Sequence, residues 1–205
     1  MDRPYFIVIE GLDGSGKTTQ IEWLRDYFQS KGEAVHLTHE PTDLPTGRLI
    51  RQVLRKEIAM DPRSLAALFA ADRIEHLFNP AAGILAKLAG GYHVIASRYY
   101  FSSLAYQGEF MDPAYVASLN RLAKSTLPAD LTIFLDLDPA QSMQRIADRR
   151  EAVELFETEA KLQHVRESFR QVFEVYGADE NIRIVDAAVE VAAVHASIVG
   201  HVEAL

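Results

Sequence analysis

The chain has 205 residues, 48% of them hydrophobic and 24% charged, with a formal net charge of −8. That length and balance suit one α/β domain, 1–205, with a substantial core. The acidity argues against broad binding to nucleic acid or an anionic membrane, and the absence of cysteine excludes disulfides, thiolate metal sites and cysteine nucleophiles.

No apolar run approaches the length of a membrane span. The N-terminal run, residues 5–9, is cut off by Glu10 and is too short for a secretion signal. The cytoplasm is the expected compartment.

Residues 5–9, Tyr-Phe-Ile-Val-Ile, read as a buried strand. Residues 10–19 then fit the pattern G-x-x-x-x-G-K-[ST], with Gly11, Gly16, Lys17 and Thr18 at the fixed places. Helical spacing follows over 20–31, carried by Ile21, Leu24 and Phe28. Strand, glycine loop and helix together aim backbone N–H groups and a helix N-terminus at an anion. The expected phosphate cradle is Gly11, Leu12, Asp13, Gly14, Ser15, Gly16, Lys17, Thr18 and Thr19. In it Lys17 reaches the β- and γ-phosphates of ATP and Thr18 gives its hydroxyl to Mg²⁺.

A second strand is predicted over 34–38, then a loop over 39–47 broken by two prolines and a glycine. Helical spacing resumes at Leu49, and Asp61-Pro62 reads as the start of a further helix that meets Pro80. Another helix is expected over 81–89, a third strand over 92–96, and a polar, aromatic loop over 97–108. Asp112-Pro113 starts a helix to about Lys124, and a fourth strand covers 131–135. A helix follows Pro139. Charge is dense from Arg145 to Glu159, and a long helix runs from there to Tyr176. A fifth strand, 182–185, and a closing helix, 189–202, complete the chain. The alternation predicts a three-layer α/β phosphate-loop NTPase fold, with a five-stranded parallel sheet flanked by helices. Ligands in such sheets bind beyond the carboxyl ends of the strands, so the residues just after each strand carry most weight.

Three stretches make a more specific resemblance: residues 9–19, Phe69-Ala70-Ala71-Asp72-Arg73, and Arg98-Tyr99 followed by Ser102-Ser103-Leu104-Ala105-Tyr106-Gln107-Gly108. With them the chain resembles the thymidylate kinases, nucleoside monophosphate kinases of the phosphate-loop class, from Phe6 to about Asp186. The resemblance implies transfer of phosphate from ATP, with Mg²⁺, to dTMP. It also implies a homodimer joined through helices on one side. Phe69 would lie against the thymine and Arg73 at the base edge. Ser102 and Gln107 would offer polar groups to the base. Tyr106 would fill the space where a ribose 2′-hydroxyl would sit, and Asp13 would accept from the 3′-hydroxyl. Arg98 would bind the monophosphate, with His39, Glu40 and Pro41 beside it. A short lid, about 145–157, would supply the transition-state arginine, since the phosphate loop has none. Arg145, Arg149 and Arg150 are the candidates, with Arg149 favoured because it lies four residues from Arg145 and shares its face.

Each residue also has a plainer use. Phe69 could be core beside Leu65 and Leu68, Arg73 a surface charge paired with Asp72 or Glu75, Arg98 a structural ion pair, and Asp13 a turn stabiliser. Two positions depart from the family pattern. His39 stands where an arginine is usual, which weakens a monophosphate contact. Ser97 stands where an aspartate is usual, which removes a carboxylate near Mg²⁺ and leaves Glu10, Asp13 and Asp136 as the acids near the strand ends. Two alternatives therefore stay open: a kinase for another small nucleotide or nucleoside, and a nucleotide-binding regulatory protein that has lost the transferase step.

Overall fold

The computed structural model describes residues 3–109, 111–148 and 158–205. Its sheet has five parallel strands in the order β2-β3-β1-β4-β5. They are β1 Phe6–Gly11, β2 Val35–His39, β3 His93–Ser97, β4 Leu131–Asp136 and β5 Ile182–Asp186. β1 is central, paired with β3 on one side and β4 on the other. All six of its residues are buried, as an apolar run covered on both faces requires.

Side-chain alternation sorts the helices into two layers. Ile7 and Ile9 face one way and join Ile133 and Leu135 of β4. Against them pack Ile21, Leu24 and Phe28 of α1 (Lys17–Ser30) and Val194, Ile198 and Val202 of α9 (Val191–Val202). Phe6 and Val8 face the other way, with Phe134. That layer receives Tyr100, Phe101 and Leu104 of α5 (Tyr100–Gln107), Val116 of α6 (Pro113–Thr126) and Phe169 of α8 (Glu159–Tyr176). Each such side chain contributes about 1.5–3 kcal/mol through burial. A smaller cluster joins Ile50, Val53 and Leu54 of α2 (Pro45–Leu54) to Leu65 of α3 (Pro62–Phe78). The remaining helices are α4 (Ile84–Ala89) and α7 (Pro139–Asp148).

The predicted strands and their parallel arrangement are all present. Four helix boundaries differ, one of them the closing helix, which begins at Val191 rather than at 189. α1 begins at Lys17 rather than at 20, directly off the glycine loop. α2 begins at Pro45, a helix-starting proline rather than a breaker. α4 is shorter than 81–89, because the Asn79 side chain accepts from the Ala81 and Ala82 N–H groups and holds them in a turn. The expected loop over 97–108 is corrected more deeply: residues 100–107 are α5. All eight are buried, so the helix shows no polar stripe by which spacing could reveal it. Of the expected lid, residues 145–148 end α7, while 149–157 lie outside the described residues. α8 starts at Glu159, capped by the Thr158 side chain, and ends at Tyr176 as expected.

Candidate active site

β1 delivers the chain into the glycine loop, and α1 leaves it. Gly16, with φ +96°, is the residue before α1, and among the described residues no side chain caps the N–H groups of that first turn. They are left pointing outward, the arrangement that receives an anion. Ser15 Oγ is buried with no hydrogen-bond partner among the described residues, a second group suited to a phosphate oxygen. Gly14 (φ +78°) lies hard against α7: a Cβ there would sit 2.7 Å from the Ser142 carbonyl oxygen. Ser142 Oγ also donates to the Asp13 carbonyl. A side chain at 14 would thus push the loop off its support.

Lys17 folds back over this loop. Its Nζ donates to the carbonyls of Gly11 (3.0 Å) and Leu12 (2.7 Å) and lies 3.6 Å from the Asp13 carboxylate. Burial, then the neighbouring Arg98 cation, pushes the Lys17 ammonium down to about 8. Thr18, in the first turn of α1, is exposed and free to reach a metal ion held by phosphates.

Arg98 closes the other side. Its φ of +71° turns the chain sharply off β3, and its N–H stays on the Ile9 carbonyl. The guanidinium donates to Asp13 Oδ1 (2.6 Å), Ser102 Oγ (3.1 Å) and Tyr106 Oη (3.2 Å), and its carbon lies 5.0 Å from the centre of the Tyr106 ring. Burial alone would raise the Asp13 carboxyl; Arg98 and Lys17 more than cancel it and hold the group well below the ordinary carboxylate range. Burial pushes the Tyr106 phenol up, so it is neutral at physiological pH.

Between these groups lies an open cleft of about 560 Å³, solvent at its mouth included. Asp13, Glu40, Pro41, Phe69, Arg73, Arg98, Ser102, Tyr106 and Gln107 all line it, with Leu54 and Ser103 in addition. Of the expected substrate contacts only His39 lies elsewhere. It is half exposed, with Nε2 3.7 Å from Asp43, in a shallow hollow shared with Arg51. Gln107 Oε1 is buried at the cleft wall with no partner among the described residues, so an acceptor is available to an incoming N–H. Phe69 serves in two ways: it packs against the Ile50–Leu65 cluster and presents a face to the cleft.

Arg73 is not the surface charge that its helical neighbours suggested. It is 1% exposed and bound to Glu40 Oε2 (2.8 Å from Nε), Ser103 Oγ (2.9 Å), the Tyr99 carbonyl (3.1 Å) and Asn120 Oδ1. The other Glu40 oxygen lies 3.0 Å from His76 Nδ1. Asp72, one of its supposed partners, instead accepts from Thr42 N, Thr42 Oγ1 and Thr46 Oγ1 and holds the loop after β2. Sequence reading missed Asp72, His76, Ser103 and Asn120, because their partners lie 26–47 residues away.

Among the acids near the strand ends, two are fully committed. Glu10 is buried and takes three hydrogen bonds from α5 and its start, and Asp136 is bridged by Arg166 and Arg170. Asp13 alone faces the loop. Ser97 ends β3, where its carbonyl accepts the Glu40 N–H. Arg145 donates to the Ala187 carbonyl beyond β5, while Arg149 and Arg150 lie outside the described residues.

A glycine loop between a buried strand and a helix start, facing a cleft that ends on a buried arginine, defines a phosphate-loop α/β protein. Comparison with known proteins narrows this. Residues 9–198 match the sequence pattern of the family described as Thymidylate kinase, and the chain belongs to that family. It is 40% identical to the "Probable thymidylate kinase" of Pyrococcus horikoshii, over 98% of this chain and 97% of that one. It is 42% identical to the "Probable thymidylate kinase" of Thermococcus onnurineus, over 97% of each. With the "Thymidylate kinase" of Bifidobacterium longum it shares 38% identity over 98% of each chain.

Proposed function

We propose that this protein transfers the γ-phosphate of MgATP to dTMP, giving ADP and dTDP. The observation that carries the reading is the Arg98–Asp13–Lys17 chain, which joins the nucleoside cleft to the phosphate loop through contacts of 2.6 and 3.6 Å. An oxygen of the dTMP phosphate forms a bond to the γ-phosphorus as the bond to the β–γ bridging oxygen breaks. That oxygen is already an adequate nucleophile, so no general base is needed. Lys17 and the α1 N-terminus hold the donor phosphates, Arg98 holds the acceptor phosphate, and both cations share the developing charge. Thr18 is the residue that would hold Mg²⁺, which would supply charge neutralisation at the transferring phosphates. Phe69 stacks on the base and the unpaired Gln107 oxygen accepts from its ring N–H. Tyr106 lies under the sugar and selects against a 2′-hydroxyl. We assign the enzyme to the cytoplasm. We also assign it a homodimer through α3 and α6, which pack together and expose Ile74, Phe78, Tyr115 and Leu122.

A coupled assay of ADP release over dTMP, dUMP, dCMP, dGMP and thymidine tests the reading. The largest kcat/KM belongs to dTMP; activity with none of them, or a preference for another acceptor, overturns it.

The free enzyme binds donor phosphates through a cation whose charge is lost as pH rises through about 8. The sign is therefore fixed: kcat/KM for MgATP is flat below that pH and falls about tenfold per unit above it. In kcat the fall moves to higher pH, because bound phosphates favour the charged lysine. Initial rates from pH 6.5 to 9.5 check both limbs.

Ser97 offers no negative charge to the water shell of the metal. Losing an outer partner of this kind costs about 10–100-fold in metal affinity or activity. Ser97→Asp lowers the free Mg²⁺ needed for half-maximal rate, and Ser97→Ala does not. Equal magnesium curves for wild type and Ser97→Asp would confine Ser97 to the turn after β3.

A further inference from the structure

The buried carboxylate of Glu10 has no part in the reaction above and lies outside the lining of the cleft. It sits in β1, one residue before the glycine loop, yet all its hydrogen bonds go to the start of α5. Oε1 accepts from the N–H groups of Tyr99 (2.9 Å) and Ser102 (3.2 Å), and Oε2 accepts from Ser102 Oγ (2.6 Å). Tyr99 is the residue before α5, and its own side chain caps nothing. In an ordinary capping box one side chain takes the N–H of the third helical residue and another takes the N–H of the cap residue. Here a single carboxylate from a different element takes both.

We propose that Glu10 is the N-cap of α5 supplied in trans, and that it is a positioning residue for the acceptor nucleotide. α5 carries four cleft residues: Ser102, Ser103, Tyr106 and Gln107. Its first turn is free to shift unless the N–H groups there are held, because the local sequence has no capping side chain. The second arm of the device runs through Ser102. That hydroxyl donates to Glu10 and accepts from Arg98 Nη1, so Glu10 fixes the lone pair on which the arginine rests. Arg98 follows the sharp turn at the end of β3, and Ser102 shares the work of aiming it with Asp13 and Tyr106. Burial raises the Glu10 carboxyl above the ordinary carboxylate range, and Arg98, the Ser102 hydroxyl and the Tyr99 N–H work against that rise. The part of this proposal that concerns dTMP rests on the function proposed above; the capping itself does not.

The test is Glu10→Gln, read in two ways. Glutamine keeps one acceptor oxygen, and its amide N–H groups face Ser102 Oγ in place of an acceptor. In the free protein, amide hydrogen exchange over residues 99–107 speeds up by about tenfold, the loss of one arm of the cap, while β1 and α8 keep their protection. In assays, KM for dTMP rises about tenfold, kcat stays within about threefold, and KM for MgATP stays within about twofold. Glu10→Ala exposes the full defect if it folds. If it does not, Glu10→Asp serves: it draws the carboxyl one methylene short of Tyr99 and Ser102 with every cleft residue intact, and it raises both α5 exchange and KM for dTMP. Unchanged α5 exchange in Glu10→Gln overturns the cap. A hundredfold drop in kcat at unchanged KM for dTMP overturns the positioning role and places Glu10 in the chemical step. If wild type fails to use dTMP, the function proposed above falls, and the exchange result still decides the cap.

Discussion

Replacing Lys17 with alanine lowers turnover by about 10³-fold while leaving a folded protein. The magnitude is that of a fixed donor removed from a site where charge develops. Lys17 is buried, it spans the loop through two carbonyls, and its charge lies within 3.6 Å of the carboxylate that also holds Arg98. In the empty protein the substitution removes a cation that burial and Arg98 both disfavour, so stability changes less than activity does. The measurement is kcat at saturating MgATP and dTMP, beside a thermal melt of each protein. Turnover within tenfold of wild type would show that the loop N–H groups and the metal do the work alone.

Arg98→Ala has an effect of similar size by a different route. It removes the cation assigned to the acceptor phosphate and breaks bonds to Asp13, Ser102 and Tyr106 at once. kcat/KM for dTMP falls by about 10³-fold, and Arg98→Lys restores little, because an ammonium cannot reproduce the planar fork. The backbone strain at φ +71° is common to arginine and alanine and cancels in the comparison. A second readout follows from electrostatics. Arg98 helps to depress Lys17, so its removal moves the alkaline fall of kcat/KM for MgATP to higher pH. A mutant with normal dTMP kinetics and an unmoved pH profile would reduce Arg98 to a structural ion pair.

What could be read from the sequence follows a physical division. β1, β3 and β4 are short apolar runs covered on both faces, and the glycine loop is a contiguous pattern whose neighbours confirm it. Both are local. α5 is equally local but buried all round, so it lacks the period-3.6 contrast that announces a helix. The cleft residues came from the family pattern, which placed nine side chains on one cavity and one, His39, just outside it. Charges were the least legible. Arg73 has two acids within two positions in its own helix, yet it is bound to Glu40, 33 residues away across the fold. Glu10 reads as part of the phosphate loop and acts on a helix 92 residues later. Pairings of this kind depend on which strands neighbour β1, and that is a property of topology rather than of spacing.

The carboxylate of Asp13, caught between Lys17 and Arg98, has a kinetic consequence. Its charge offsets one of the two cations before any nucleotide arrives. The body around it carries a net charge of −8. Beyond a Debye length, about 8 Å at physiological salt, that acidic body does not attract an anionic nucleotide. Association rates for dTMP and MgATP accordingly do not fall with added salt, and discrimination begins only when a phosphate is near enough to take a cation away from its aspartate.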